Sequence, residues 1–419
     1  MMYNKLSLFI IIITNIISGI AQGLTIIIIP WYFTDTLNAS STFSFCYALL
    51  TIIGLFWGLY AGVIIDNFNR KKIFLSINFT SGIMFFLIFI SFKIFPSYSQ
   101  FLMLLGFAIC NFYYTISFPN LYALIQEITP KGYFIKITSI LEIQLQLTSI
   151  IAALTCAVLM SGLDLSLLLN NYIEFKINKW EISSIFLLNS TMYLISGFIL
   201  MTLKYIPAKK NSTFSHKNTF IELKKALFYL GKNKSIAIYG ICSQIIFAFL
   251  IVELFSLLPL FVKYCLNGSI LIFSLADLTY AIGAIISGII MMRIIKKINI
   301  IYSTIVLIVV TGYAFLLMIS FQKLAIFFVA TLIIGMTNSG TRIIRMTYLL
   351  NNIPNYIIGR INTIFNSINT FIRAVLILLF SLPWFSENHN VIMGYRIGIV
   401  VLLLFSIVLL IEYRKTNQS

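Results

Sequence analysis

Charge is what this sequence has least of. Only 10% of its 419 residues are Asp, Glu, Lys or Arg, where soluble domains carry about 25%, so a water-soluble globular fold is excluded. Histidine is nearly missing as well. His216 and His389 are the only two; both fall between the apolar segments, and no H-E-x-x-H, D-x-D or H-x4-D motif occurs. A membrane-embedded transferase or hydrolase therefore lacks its usual chemistry, and no enzyme is expected. The five cysteines, at 46, 110, 156, 242 and 265, form no C-x2-C pair and have no His beside them. That excludes the common metal and redox spacings and leaves them as small apolar side chains inside helices. No ten-residue alternation of apolar and polar residues occurs, which excludes a transmembrane β-barrel. No small-x-small cleavage site follows the first apolar run, so that run is read as a retained span and not as a signal peptide.

Long apolar runs fill the chain instead. Hydrophobic residues make up 60% of it and the mean hydropathy is +1.00. The runs cover, approximately, residues 6–33, 42–65, 73–94, 100–127, 136–162, 184–204, 235–262, 269–293, 299–320, 323–350, 360–383 and 391–411. Each is about 20 residues or longer, enough at 1.5 Å per residue to cross a hydrocarbon layer of roughly 30 Å. Apolar residues occupy most faces of each run, as helices surrounded by lipid require. The sequence predicts an all-α integral membrane protein of twelve transmembrane helices.

The net charge of +17 is explained by topology. Of the 29 Lys and Arg, 20 fall on the side that twelve spans give to both termini, and only five fall in the opposite loops. This bias places both termini in the cytoplasm. It makes anionic membrane lipids the partners of the basic surface and leaves nucleic acid unnecessary. The polar segment 206–234 is then a cytoplasmic linker between an N-terminal six-helix bundle, 1–205, and a C-terminal one, 235–419. Its stretch FIELKKALFYL has a helical pattern with Lys on one side and is expected to lie along the membrane surface. A second polar excursion, 163–181, lies on the external side and fits a short hairpin or a helix.

One cytoplasmic turn has a pattern of its own. In GVIIDNFNRKK, Gly62 is followed by Asp66 at +4, Arg70 at +8 and Lys71 at +9. GIIMMRIIKK repeats the spacing 226 residues later, with Gly288, Met292, Lys296 and Lys297. The halves are parallel repeats, a transporter design, and the second copy has lost the acid.

Two sets of six spans, a cytoplasmic central loop and G-x3-D-x3-R-K-K between spans two and three resemble the major facilitator superfamily over essentially the whole chain. Asn67 stands where the family has a cation and Asn69 where it has a second Gly. Asn accepts a left-handed turn better than most residues, so such a turn is expected to survive. FPNLYALIQEITPKGYFIKITSILEIQLQ and NNIPNYIIGRINTIFNSI look like the macrolide-efflux and enterobactin-exporter branch. The resemblance implies two pseudo-symmetric six-helix bundles, a monomer in the bacterial inner membrane and alternating access without a cofactor. It further implies export of a small drug-like or siderophore-like molecule in exchange for protons, although importers and lipid flippases share the fold. Two departures stand out. Span four lacks the Arg often tied to proton coupling, and LTSIIAALTCAVLM in span five lacks the Gly- and Pro-rich exporter motif. Proton antiport therefore follows from the family and not from local residues.

The resemblance sets Asp66 at the cytoplasmic end of span two, facing the N-terminus of span eleven near residues 359–361, where a carboxylate is favoured. Arg70 is expected to pair with Glu127 at the end of span four. Gly62, Asp66, Arg70, Lys71 and Glu127 would then form a conformational latch; Lys71 and Lys72 also read as plain topological anchors. Ionisable residues within spans are costly and usually face a cavity or a partner. These are Glu142, Glu253, Asp277, Arg342, Arg345 and Arg373, all on spans that line or flank the family's central cavity. Glu253 and Asp277 could be proton sites or counter-ions for a cationic substrate. Arg342 and Arg345, three apart on one face, could bind an anionic group or pair with Glu142. Asn15 and Gln22, seven apart in span one, with Asn111, Tyr113 and Tyr114 in span four and Gln144 and Gln146 in span five, could line the cavity or hydrogen-bond between helices.

Overall fold

A computed structural model of the chain describes residues 5–128, 134–164, 176–204, 216–294, 299–354 and 357–418. Twelve helical passages in it are long and apolar enough to cross a membrane. Spans one to six are Lys5–Asp35, Ser40–Asn67, Arg70–Ile94, Ser99–Ile128, Phe134–Ser161 and Ile182–Met201. Spans seven to twelve are Lys234–Tyr264, Ile270–Ile294, Ile300–Phe321, Leu324–Asn352, Ile358–Phe380 and Val391–Gln418. The all-α, twelve-span fold read from the apolar runs is the fold the chain adopts.

Two asparagines set helix starts at matching places in the two halves. Asn69 begins span three, and its side chain accepts from Lys71 N and Lys72 N at 2.9 and 3.2 Å. Asn299 begins span nine and accepts from Ile301 N and Tyr302 N at 3.0 and 3.3 Å. Each cap contributes about 1 kcal/mol to its helix. The left-handed conformation expected at Asn69 is not there. Its φ and ψ are −64° and 121°, the extended backbone of an N-cap, where Asn is favoured because its oxygen satisfies free amides.

Span seven is not one helix. Lys234–Cys242 and Ile245–Val252 are separated by a turn at Ser243–Gln244, and a π-helical turn, Glu253–Leu257, precedes Leu258–Tyr264. Pro259 accounts for the second break. It has no N–H, and its ring clashes with the carbonyl four residues back, at Phe255, so the helix widens there.

Packing gathers the chain into two compact units. The first comprises Met1–Asn38, Ile53–Ser212 and Ser269–Leu278. Its core stacks Phe85 on Phe186 and Tyr193 at 5.9 and 5.6 Å. Trp31 stacks on Phe273 at 5.7 Å and so holds the first turns of span eight. The second unit comprises Ala39–Ile52, Thr213–Gly268 and Thr279–Ser419. Phe249, Phe315, Tyr395 and Phe261 form a chain of rings with centroids 5.2, 5.5 and 5.3 Å apart. Tyr47 packs edge-on against Phe255 at 4.8 Å, and Ser41 Oγ donates to Ser381 O at 2.5 Å, so the first turns of span two belong here.

Lipid is as apolar as Leu, so helix association in a membrane rests on close packing and interhelical hydrogen bonds. Two glycines show the first. A Cβ on Gly23 would lie 2.5 Å from Ala152 Cβ, which puts span one against span five. One on Gly335 would lie 2.0 Å from the backbone oxygen of Tyr280, which puts span ten against span eight.

The linker helix is His216–Lys232. Ala226 and Leu230 pack with Leu349, Ile353, Ile357, Ile361 and Phe365 at the ends of spans ten and eleven. Leu227 and Phe228 on its other side are exposed. The excursion after span five has a hairpin stem, with Leu163–Asp164 antiparallel to Lys176–Ile177.

Candidate functional site

The turn between spans two and three is fastened to two other spans of the first unit. Arg70 Nη1 lies 3.0 Å from Glu127 Oε1, in a pair only 15% and 12% exposed. Arg70 also donates to Ala123 O, while Asn120 Nδ2 donates to Arg70 O at 3.0 Å. Span three is thus tied to span four through both the side chain and the backbone of one arginine. Lys71 does more than anchor topology. Its Nζ donates to Met201 O at 2.9 Å and Leu203 O at 2.6 Å, capping the end of span six. A cation there satisfies free carbonyls and complements the helix dipole. Gly62 and Asp66 fall in the last turns of span two, but their surroundings lie outside the described residues.

Asn15 of span one and Tyr113 of span four bind helices together. Asn15 Nδ2 donates to Gln144 Oε1 at 2.8 Å, and Gln144 Nε2 donates to Thr148 Oγ1 at 3.1 Å. Close approach at Gly23 brings span one near enough to span five for this bridge. Gln22 is half-buried. Asn111 Nδ2 donates within its own helix, to Phe107 O at 2.9 Å. Tyr113 belongs to a buried network centred on Asn78. Asn78 Oδ1 accepts from Tyr113 Oη at 3.3 Å and from Ser196 Oγ at 2.9 Å. Ser196 Oγ also lies 3.2 Å from Thr14 O, which adds span one to spans three, four and six.

Glu253 and Asp277 are each held by a neutral hydroxyl. Ser149 Oγ, in span five, donates to Asp277 Oδ2 at 2.8 Å within the first unit. Tyr395 Oη, in span twelve, donates to Glu253 Oε1 at 2.8 Å within the second. Glu253 is 7% exposed and opens the π-helical turn of span seven, a geometry frequent at functional sites. Neither carboxyl has an ion pair among the described residues.

Arg345 serves the other break of span seven. Arg345 Nη1 donates to Ser243 O at 3.1 Å, and Asn369 Nδ2, in span eleven, donates to Gln244 O at 3.2 Å. Arg345 thereby satisfies the Ser243 carbonyl freed where the helix interrupts, and Asn369 adds a second donor to Gln244 O, which also accepts from Ala248 N at 2.9 Å. Arg345 thus meets a backbone oxygen, and the surroundings of Glu142, its other expected partner, lie outside the described residues. Arg342 is half-buried one turn away. Arg373 Nη2 donates to Thr370 Oγ1 at 2.9 Å in its own span, and its Nε is buried without a hydrogen-bond partner.

Asn78, Ser149, Ser196, Ser243, Gln244, Asn369 and Tyr395 were not legible as site residues. For Tyr395 a signal existed. Pro259 marks a disturbed helix beside a buried acid, and such an acid needs a donor from a neighbouring span.

The Major Facilitator Superfamily model matches residues 11–377. No curated protein matches the sequence. Among solved structures, the chain is similar to a bacterial homolog of the human lysosomal transporter Spinster, with a TM-score of 0.73 at 12% identity, covering 98% of each chain. It is similar to the nucleoside transporter NupG, with a TM-score of 0.69 at 13% identity, covering 97% of this chain and 99% of that one. It also resembles a D-xylose-proton symporter, with a TM-score of 0.65 at 15% identity, covering 95% and 97%. By this family match and its twelve-span fold, the chain belongs to the Major Facilitator Superfamily of secondary transporters and is not an enzyme.

Proposed function

We propose that the chain exports a small drug-like or siderophore-like molecule by alternating access, in exchange for protons. The observation that carries this reading is the pairing of Glu253 with Tyr395 and of Asp277 with Ser149, each at 2.8 Å. A carboxyl held by neutral hydroxyls can take up and release a proton without breaking an ion pair. Inside a span, a group of that kind is otherwise a costly feature to keep. Both lie in the parts of spans seven and eight remote from the Lys-rich loops, where a proton would arrive from outside. The Lys and Arg bias supports cytoplasmic termini, and the family resemblance is the ground for a bacterial inner membrane and one chain as the working unit. The likeness of the two Pro-containing loops to the macrolide-efflux and enterobactin-exporter branch supports export. The Arg70–Glu127 pair fits the fixed part of a latch whose moving arm is Asp66.

The test is accumulation in cells. A strain lacking the chain is expected to accumulate at least one compound from a panel of drugs, dyes and siderophores, and collapse of the proton gradient in the parent strain to reproduce that effect. Net uptake that requires the chain would overturn export in favour of import. Lipid translocation without small-molecule flux would overturn it in favour of a flippase.

A further inference from the structure

The second unit carries a cavity of about 650 Å³ between spans nine and twelve, at the end of span twelve remote from the C-terminus. It is of a size that holds ligands, within the roughly 300–1,000 Å³ range of small-molecule sites. Its walls are mostly aliphatic, with Leu316 and Ile319 from span nine and Ile392, Ile399 and Val400 from span twelve, while Ser320 and Gln322 add polar groups at the end of span nine. Arg396 lines it too. This guanidinium is exposed, and its hydrogen-bond contact is with Met393 Sδ at 3.5 Å, within its own helix.

Depth gives the arrangement its meaning. Span nine ends at Phe321 and span twelve begins at Val391, so Arg396 sits five residues, about 7.5 Å, inside the helix end. A position about one and a half turns inside a spanning helix suits a side chain that bridges the headgroup layer and the acyl chains. Arginine at this depth keeps its charge at the polar layer while its stem crosses apolar surface. Trp384, half exposed in the loop leading to span twelve, belongs with the aromatic belt that marks the same level. Leu316 and Val400 are exposed, so the groove opens sideways onto the surrounding medium, which for a spanning helix is lipid.

We propose that this groove is a binding site for one anionic phospholipid of the leaflet opposite the C-terminus, with its phosphate on Arg396 and an acyl chain along Ile319, Ile399 and Val400. Guanidinium matches phosphate oxygens in a paired geometry that an ammonium does not reproduce. The mostly aliphatic walls favour an anion that brings a hydrocarbon tail, which distinguishes the lipid from free phosphate. The site is separate from the transport reading, because neither Glu253, Asp277 nor the Arg70 turn lines it.

The test uses the full chain, purified in mild detergent, with dioleoyl phosphatidylglycerol added and retained lipid counted by native mass spectrometry. One phosphatidylglycerol per chain is expected. Arg396→Gln should lower its retention about tenfold, the loss expected for one charge-assisted contact, and Arg396→Lys should restore part of it. Val400→Trp, which keeps the arginine and fills the groove, should lower retention as well. Dioleoylglycerol and inorganic phosphate, each carrying half of the ligand's chemistry, should fail to compete. Unchanged retention in both Arg396→Gln and Val400→Trp would overturn the proposal, and so would displacement of the lipid by inorganic phosphate alone. If Arg396→Gln does not yield folded protein, Val400→Trp and the competition decide between these outcomes.

Discussion

Tyr395 donates its phenolic hydrogen to Glu253 at 2.8 Å, joining span twelve to the π-helical turn of span seven. The carboxyl is buried and the tyrosine fully so. A group in that position is either a structural acceptor or a proton carrier, and substitution separates the two. Glu253→Gln keeps an acceptor for the tyrosine and removes the titration. Transport in proteoliposomes is expected to lose its dependence on an imposed proton gradient, while substrate exchange without a gradient persists. Loss of exchange together with gradient dependence would assign Glu253 a structural or substrate-binding role. Tyr395→Phe leaves one carboxyl oxygen without its donor and is expected to cost about 1–3 kcal/mol of stability, read in a denaturant titration.

Gly335 allows spans eight and ten to touch backbone to backbone. A Cβ there would meet the carbonyl of Tyr280 at 2.0 Å, and a backbone oxygen cannot move aside as a flexible side chain can. Gly335→Ala is expected to destabilise the chain by about 3 kcal/mol, the upper part of the usual range for overpacking. Gly312→Ala is the control, because nothing lies within 4 Å of the added carbon. Equal unfolding midpoints for the two variants would contradict this account of the contact.

Arg70 and Glu127 are partly buried, at 15% and 12% exposure, so their pair should exceed the few tenths of a kcal/mol typical of a solvated one. A double-mutant cycle with Arg70→Ala and Glu127→Ala is expected to give a coupling of roughly 1–2 kcal/mol. Arg70→Lys should recover only part of it, because the guanidinium also donates to Ala123 O. A coupling near zero would reduce the pair to a topological feature.

The parts of this molecule that sequence could reveal are those whose physics is local. Twelve runs of apolar residues must be twelve spans, because nothing else satisfies the backbone in lipid. Arg70 and Glu127 could be matched because charges near a membrane are few and seek one another. Asn69 was placed in the right turn but given the wrong conformation, since the residue serves both left-handed turns and N-caps. The breaks in span seven were hidden for a different reason. Ser243 and Gln244 form no turn signature, and what stabilises the break is an arginine and an asparagine from spans ten and eleven aimed at backbone oxygens. A backbone acceptor is present at every residue, so no pattern points to it. The Asn78 network was hidden likewise, because its members come from spans three, four and six and none is unusual alone.

Arg345 decides how the interrupted span is to be understood. Its hydrogen bond to Ser243 O, at 3.1 Å, satisfies a carbonyl that a continuous helix would have used, while Asn369 adds a second donor to Gln244 O beside the backbone bond from Ala248 N. If capping is the whole of its work, Arg345→Ala should cost about 1.5–3 kcal/mol, as for a hydrogen bond to a charged group. Arg345→Lys should then recover most of the stability, and substrate affinity should not change in the folded fraction. If the guanidinium also receives an anionic part of the substrate, the Lys variant should fold normally and bind anionic substrates more weakly, with neutral ones unaffected. Comparison of unfolding midpoints with binding titrations for the two variants separates these outcomes. The geometry favours the first, because the one described donor contact of Arg345 is spent on the break itself.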